Sequence, residues 1–186
     1  MKNWFFMFFL FTFPVYAEKA PWIYFDLGDT IVDTSDLNHI HYFKGAKEYM
    51  EGLRDLGIKV GIMTNIPVSW GQTQTEKLNA LKQFVADRWD DTVPFDWDIY
   101  EDVLLPFTKE EMKPADGMYL KALARAGNCP VGFISENPKE ITAAFNLGFA
   151  TQLFRNEIEL YIPLDQIANY LKREYQRPWD LDCFVE

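Results

Sequence analysis

Histidine and cysteine are almost absent. His39 and His41 carry the only imidazoles and Cys129 and Cys183 the only thiols in 186 residues. No Cys/His spacing of a zinc site can be assembled from them, so zinc chemistry is set aside. Basic residues are also scarce. Eighteen Lys and Arg against 28 Asp and Glu give a formal net charge of −10. That balance argues against nucleic-acid binding through phosphate contacts; it suits a cation partner, or simply a solvated acidic surface. There is no internal repeat, no low-complexity tract and no linker between domains. Beyond the first few residues no apolar stretch is long enough to span a bilayer. What the chain does have is apolar content, 48% of residues with 17% aromatic. This is enough to build the core of one domain and too much for a disordered chain.

The amino terminus reads as a targeting segment. Lys2 precedes an almost unbroken apolar run from Trp4 to Phe13, and Pro14-Val15-Tyr16-Ala17 puts small residues at the −3 and −1 positions of a cut after Ala17. This is the pattern of a secretory signal peptide; an uncleaved amino-terminal anchor is the rival reading. The expectation is a signal peptide at 1–17 and a single domain at 18–186. The protein is then exported, periplasmic or secreted, with no membrane attachment after cleavage. In an oxidising compartment Cys129 and Cys183 are able to pair, which would pin the carboxyl-terminal tail to the sheet. Whether they do depends on a Cα separation that the sequence leaves open.

The remainder is organised around Ile23-Tyr24-Phe25-Asp26-Leu27-Gly28-Asp29-Thr30. A short apolar run ends in an aspartate and breaks into a Gly-containing turn, as when a buried strand delivers a carboxylate to its carboxyl edge. Ile31 to Asn38 reads as a polar-leaning loop. Apolar residues at helical spacing predict a helix over about 44–56, stopped by Gly57, and Ile58 to Met63 reads as a second strand ending at Thr64-Asn65. Strand, helix and strand with short links form a parallel βαβ unit. Further helices are expected over about 76–89 and 115–126. A third apolar run spans about 97–105, and Val131 to Ile134 is a fourth. Then come a helix from Ile141 to Leu147, a last strand over 149–154, and a helical segment from Ile158 to Tyr175 interrupted at Pro163. Trp179 and Phe184 give the tail a means to dock. The fold class is α/β, a parallel sheet flanked by helices.

Four points stand at or just beyond apolar runs: Asp26, Thr64, Lys113, and the pair Glu136 and Glu140. In a parallel sheet the strand ends share one edge, so these groups are able to converge. The parts match phosphoryl transfer. A carboxylate attacks phosphorus, a hydroxyl holds phosphoryl oxygens, a lysine neutralises charge, and acidic groups bind a divalent cation. Each residue also has a plainer reading: Asp26 or Thr64 as a turn cap, Lys113 as a surface lysine, Glu140 as an exposed acid at a helix start.

In this order the motifs resemble those of the haloacid dehalogenase (HAD) superfamily, over Trp22 to about Leu153. Phe-Asp-Leu-Gly-Asp-Thr is similar to its first motif, Gly-Ile-Met-Thr-Asn to its second, and Lys113-Pro114 to its third. Ser135-Glu136 through Glu140, followed by Ile-Thr-Ala-Ala-Phe-Asn-Leu-Gly, is similar to its fourth. The resemblance implies a Rossmann-like HAD fold. Asp26 is the implied nucleophile, forming an aspartyl-phosphate, with Lys113 as its catalytic partner. Thr64, with Asn65 beside it, is the implied phosphate-binding element. Asp26, the Gly28 carbonyl, Glu136 and Glu140 are the implied ligands of Mg²⁺. Neither insertion point between motifs is long enough for a sizeable cap domain. The implied substrate is a phosphorylated small molecule or macromolecule, and the sequence leaves the oligomeric state open.

Two motifs depart from the family pattern. Phosphatases of the family carry a second aspartate two residues after the nucleophile, as general acid and base; here that position is Gly28. Asp29 lies one residue further, where its side chain points elsewhere unless the turn is rearranged. The fourth motif has glutamates in place of aspartates, which shifts both carboxylates outward. The leading reading is therefore an exported Mg²⁺-dependent phosphohydrolase. The alternative is a catalytically impaired member that binds a ligand or partner without turnover. Dehalogenation by Asp26 ranks third, since it needs no metal and gives the acids of the fourth motif no purpose.

Overall fold

A computed structural model describes residues 19–155 and 161–184. Residues 1–17, expected to be a signal peptide, and the first part of the segment expected to be helical from 158, lie outside the described residues. The core is a parallel five-stranded sheet. Its strands are β1 (Trp22–Phe25), β4 (Lys59–Met63), β5 (Asp102–Leu104), β6 (Val131–Ser135) and β7 (Ala150–Leu153), in the order β5-β4-β1-β6-β7. Between β1 and β4 lie β2 (Val32–Asp33) and β3 (His41–Tyr42), a small antiparallel pair. The helices are α1 (Ala46–Asp55), α2 (Gln74–Ala86), α3 (Gly117–Ala126), α4 (Pro138–Asn146) and α5 (Leu164–Glu174).

Strand β1 is buried along its whole length, as expected for a central parallel strand covered on both faces. Phe25 meets Tyr49 of α1 edge-on, and Leu171 of α5 lies over Gly132 and Ile23 on the same face. Tyr119 of α3 packs on Phe133 from the opposite face. Across this second face, Tyr24 lies over Gly61, where a Cβ would sit 2.5 Å from the Tyr24 ring. A glycine is therefore required in β4 so that the large ring of β1 can lie flat against the sheet.

Most element boundaries move for local reasons. α1 starts at Ala46, because Gly45 adopts a left-handed φ of 78° that a helix cannot include. α2 begins earlier than its apolar spacing suggests, because Thr73 and Glu76 form a reciprocal capping box. α4 likewise begins at Pro138, with the Asn137 side chain accepting from the Lys139 N–H and proline at the first helical position. The apolar run at 97–105 divides into a 3-10 turn, Trp97–Ile99, and the three-residue β5. The loop expected at 31–38 is partly strand. β2 pairs with β3, and the Asp29 N–H to Val32 carbonyl bond (2.7 Å) ties it to the turn after β1.

Cys129 and Cys183 form a disulfide with Cα atoms 5.5 Å apart. The tail docks through it, and Phe184 packs edge-on against Trp179. Among the described residues nothing the size of a second domain interrupts the sheet, and no helix is long and apolar enough to cross a membrane.

Candidate active site at the carboxyl edge of the sheet

The strand order fixes the position of the site. From β1 the chain moves outward through β4 to β5, then crosses to β6 and β7 on the other side. Neighbouring connections diverge at β1 and β6, which opens a crevice beyond their carboxyl ends. Phe25 is in register with both Ile62 and Ile134. Asp26 and Ser135, the next residue on each strand, therefore stand side by side at that crevice, and the Asp26 N–H donates to Ile134 O at 2.9 Å.

Asp26 is 8% exposed. Its Oδ1 accepts the Leu27 N–H at 2.8 Å and lies 2.9 Å from Lys113 Nζ. Both bonds fall on one carboxylate oxygen, and Oδ2 carries neither. The Lys113 side chain is fully buried and also meets Glu140 Oε2 at 2.7 Å. Lys113 is thus an internal counter-ion shared by two acids, not a surface lysine, and Glu140 is buried, not an exposed helix-start acid.

Asn65 holds this lysine in place. Its Nδ2 donates to Lys113 O at 2.9 Å, and its Oδ1 accepts the Lys113 N–H at 2.8 Å. Both ends of the amide are therefore committed to the backbone of the cis Lys113-Pro114 segment. The Asn65 side chain is thus a positioning group for the Lys113 backbone. Thr64 directly follows β4 and is 7% exposed, with its N–H donating to Leu104 O at 3.2 Å.

Glu136 and Glu140 are held by two hydroxyls the sequence reading did not single out. The Thr30 hydroxyl donates to Glu136 Oε2 at 2.9 Å and accepts the Glu136 N–H at 3.1 Å. Ser135 Oγ lies 3.0 Å from Glu140 Oε2 and 3.2 Å from Glu136 Oε2, and accepts the Asn137 N–H. Its single proton serves one of the two carboxylates at a time. Burial, then the neighbouring Asp26 charge, push the Glu136 carboxyl above the usual range. Burial pushes Glu140 up as well, against the pull of Lys113. The signal for these hydroxyls was chemical: a buried carboxylate needs donors, and Thr30 and Ser135 are the hydroxyls inside the first and fourth motifs.

Gly28 and Asp29 form the turn beyond Asp26. The parallel bridge between Gly28 and Val32 uses the Leu27 carbonyl and the Asp29 N–H, leaving Gly28's own N–H and carbonyl out of it. Asp29 has a left-handed φ of 53°, and its Oδ1 accepts both the N–H (3.0 Å) and the hydroxyl (2.7 Å) of Thr34. Its carboxylate is therefore engaged in holding the loop.

Asp26 and Glu140 share the one buried ammonium of Lys113, and Glu136 adds a third carboxyl beside them, so acidic groups are in excess at this edge. Carboxylates and a backbone carbonyl are hard oxygen donors of the kind Mg²⁺ takes. Among the described residues, however, no group of three or more His, Cys, Asp or Glu stands arranged to hold a metal ion. The donor chemistry fits the ion, and the ligand cage is not drawn together.

Next to Gly28 and Thr64 opens a cavity of about 300 Å³ whose walls are mainly apolar. A larger recess of about 510 Å³, lined by Glu51, Arg54, Lys59 and Glu101, contains none of the motif residues.

No protein-family model matches the chain, and no curated protein is similar to it. Solved structures do share its architecture. A HAD-superfamily hydrolase from Ehrlichia chaffeensis superposes with a TM-score of 0.53 at 14% identity, over 84% of this chain and 97% of that one. An uncharacterized protein from Listeria monocytogenes serotype 4b gives a TM-score of 0.52 at 14% identity, over 70% and 75%. An L-2-haloacid dehalogenase from Xanthobacter autotrophicus matches 80% of this chain but 51% of its own length, at 19% identity and a TM-score of 0.45, too low to bear on this chain. The chain thus shares the α/β Rossmann-like fold of the first two structures.

Proposed function

We propose that this protein is an exported HAD-superfamily phosphohydrolase without a cap domain, using Asp26 as its nucleophile. The observation that carries the reading is the Asp26 carboxylate at the end of the central strand, with Oδ1 held by Lys113 and the Leu27 N–H. The ammonium sets the orientation of the carboxylate, and the other oxygen is directed to phosphorus. Thr64, at the end of β4, is the proposed phosphoryl-binding hydroxyl. Lys113 offsets charge at the nucleophile, and Glu140 and Asn65 fix the lysine from two sides.

Asp26, Glu136 and the Gly28 carbonyl are the residues that would hold Mg²⁺, with Glu140 given chiefly to Lys113. When bound, the ion would supply positive charge to offset that of the attacking carboxylate and the phosphoryl group. The raised Glu136 carboxyl is consistent with this: a carboxylate crowded by another gains from a cation neighbour. Export is supported by the Cys129–Cys183 bond, since disulfides persist in oxidising compartments.

Gly28, together with the engagement of Asp29 by Thr34, favours a second reading, a phosphate-binding protein without turnover. Phosphate release separates the two. The chain from residue 18 to 186 is assayed with acetyl phosphate and aryl phosphates, with Mg²⁺ or with chelator, beside Asp26→Asn. Mg²⁺-dependent release lost in Asp26→Asn is the expected result. No release from any ester by folded protein would establish the binding reading.

A further inference from the structure

The site has two halves of opposite character. One is charged: Asp26, Lys113, Glu136 and Glu140. The other is the apolar cavity beside it, walled by Leu27, Ile66, Leu81 and Val85 and by the half-buried rings of Trp70 and Phe84. These rings lie 5.2 Å apart, tilted by 40°. At about 300 Å³ the cavity is at the small end of ligand pockets, the size for a ring and not for a long chain or a polymer. Gly28 and Thr64 line it too, so the cavity begins where the phosphoryl group of a substrate would be held.

Gly28 joins the two halves. A Cβ at this position would lie 3.4 Å from Thr34 Cγ2, pointing toward another residue of the cavity wall. The missing side chain therefore keeps the passage from Asp26 into the cavity open. It also removes the acid that would protonate a departing oxygen. An alkoxide, nearly as basic as hydroxide, departs poorly without that proton; a phenolate, with a pKa of about 10, departs without it.

We propose that both consequences select one substrate class, phosphate monoesters of a phenolic, single-ring leaving group, with the ring lodged against Trp70 and Phe84. The proposal rests on the phosphohydrolase reading above. An Asp26 oxygen forms a bond to phosphorus as the phosphorus–aryl oxygen bond breaks. The electron pair leaves on the aryl oxygen, which takes its proton from solvent. Water then attacks the aspartyl-phosphate, releasing inorganic phosphate and restoring the carboxylate.

The test separates the pocket from the chemistry. Phenylphosphonate and methylphosphonate carry the same phosphonate group and neither is hydrolysed, so calorimetry reads the contribution of the ring alone. Phenylphosphonate is expected to bind at least about tenfold more tightly. Phe84→Ala and Trp70→Ala should erase most of that preference while leaving methylphosphonate affinity unchanged, with thermal melts verifying the fold of both variants. Equal affinity for the two phosphonates, binding of neither, or a preference that survives both variants overturns the proposal. Acetyl phosphate, which has no ring and needs no acid, reports the hydrolase reading separately. Its Asp26-dependent turnover without a ring preference would refute the pocket alone. A ring preference lost in both variants, with no release from any ester, supports the pocket and refutes the hydrolase reading.

Discussion

Replacing Gly28 by aspartate tests the reading of this site from its weakest point. The position accepts a side chain. Its φ lies outside the left-handed region, and the new Cβ would make ordinary contacts, 3.4 Å to Thr34 Cγ2 and 3.5 Å to Thr34 Oγ1. The new carboxyl would join Asp26 and Glu136 at a partly buried edge. Added negative charge and burial both favour its protonated form, the form a general acid needs near neutral pH. A positioned general acid contributes on the order of 10²–10⁴-fold. The lower end applies here, because the Thr34 hydroxyl that would orient the carboxyl is already engaged by Asp29. We therefore expect kcat/KM for ethyl phosphate to rise about 10²-fold. Nitrophenyl phosphate, whose leaving group needs no proton, should not gain, and should fall to the extent that the new side chain narrows the passage to the ring cavity. The assay is steady-state phosphate release on both esters, with a thermal melt of each protein. A folded Gly28→Asp that leaves both rates unchanged, or raises both equally, refutes the assignment of this position.

Lys113→Met should destabilise the fold by about 3–5 kcal/mol in urea unfolding, because it leaves Asp26 and Glu140 without their buried counter-ion; a change below about 1 kcal/mol, the range of an exposed pair, would contradict the shared-ion geometry. Reducing Cys129–Cys183, which closes a separation of 54 residues, should cost up to about 4 kcal/mol by loop entropy and free the tail, and an unchanged melting curve would argue against the bond. Glu136 is raised in the folded state by burial and then by the Asp26 charge, so the folded protein retains a proton that the unfolded chain gives up. Stability should accordingly fall as pH rises from the ordinary glutamate range through the raised value, and Glu136→Gln should flatten that slope; a wild-type curve that climbs across this window would contradict the burial of that charge.

The chemical positions were largely legible in the sequence. Asp26, Thr64 and Glu136 each end or follow an apolar run, and a parallel sheet brings run ends to one edge; Lys113 was marked by the resemblance of Lys113-Pro114 to the third motif. The partnerships were not legible, because they span long separations. Asn65 clamps the backbone of Lys113 across 48 residues, and the Thr30 hydroxyl reaches Glu136 across 106. No local pattern announces either contact. Glu140 shows the same limit. An acid in the first turn of a helix is ordinarily solvated, and its burial follows only from α4 packing beside Lys113. The β2–β3 pair escaped notice because two-residue strands carry too few residues for a period. The starts of α2 and α4 were expected too late, although the capping residues that set them, Thr73, Asn137 and Pro138, stand in the sequence.

The central claim is that the Asp26 carboxylate attacks phosphorus. The direct measurement is to mix the protein with phosphoryl-labelled acetyl phosphate, quench in acid within one turnover, and map the label by peptide mass spectrometry. The account predicts an acid-stable, base-labile label on the peptide containing Asp26, absent from Asp26→Asn. Phosphate release by the wild type with no label on that peptide, or a label that persists in Asp26→Asn, would contradict it.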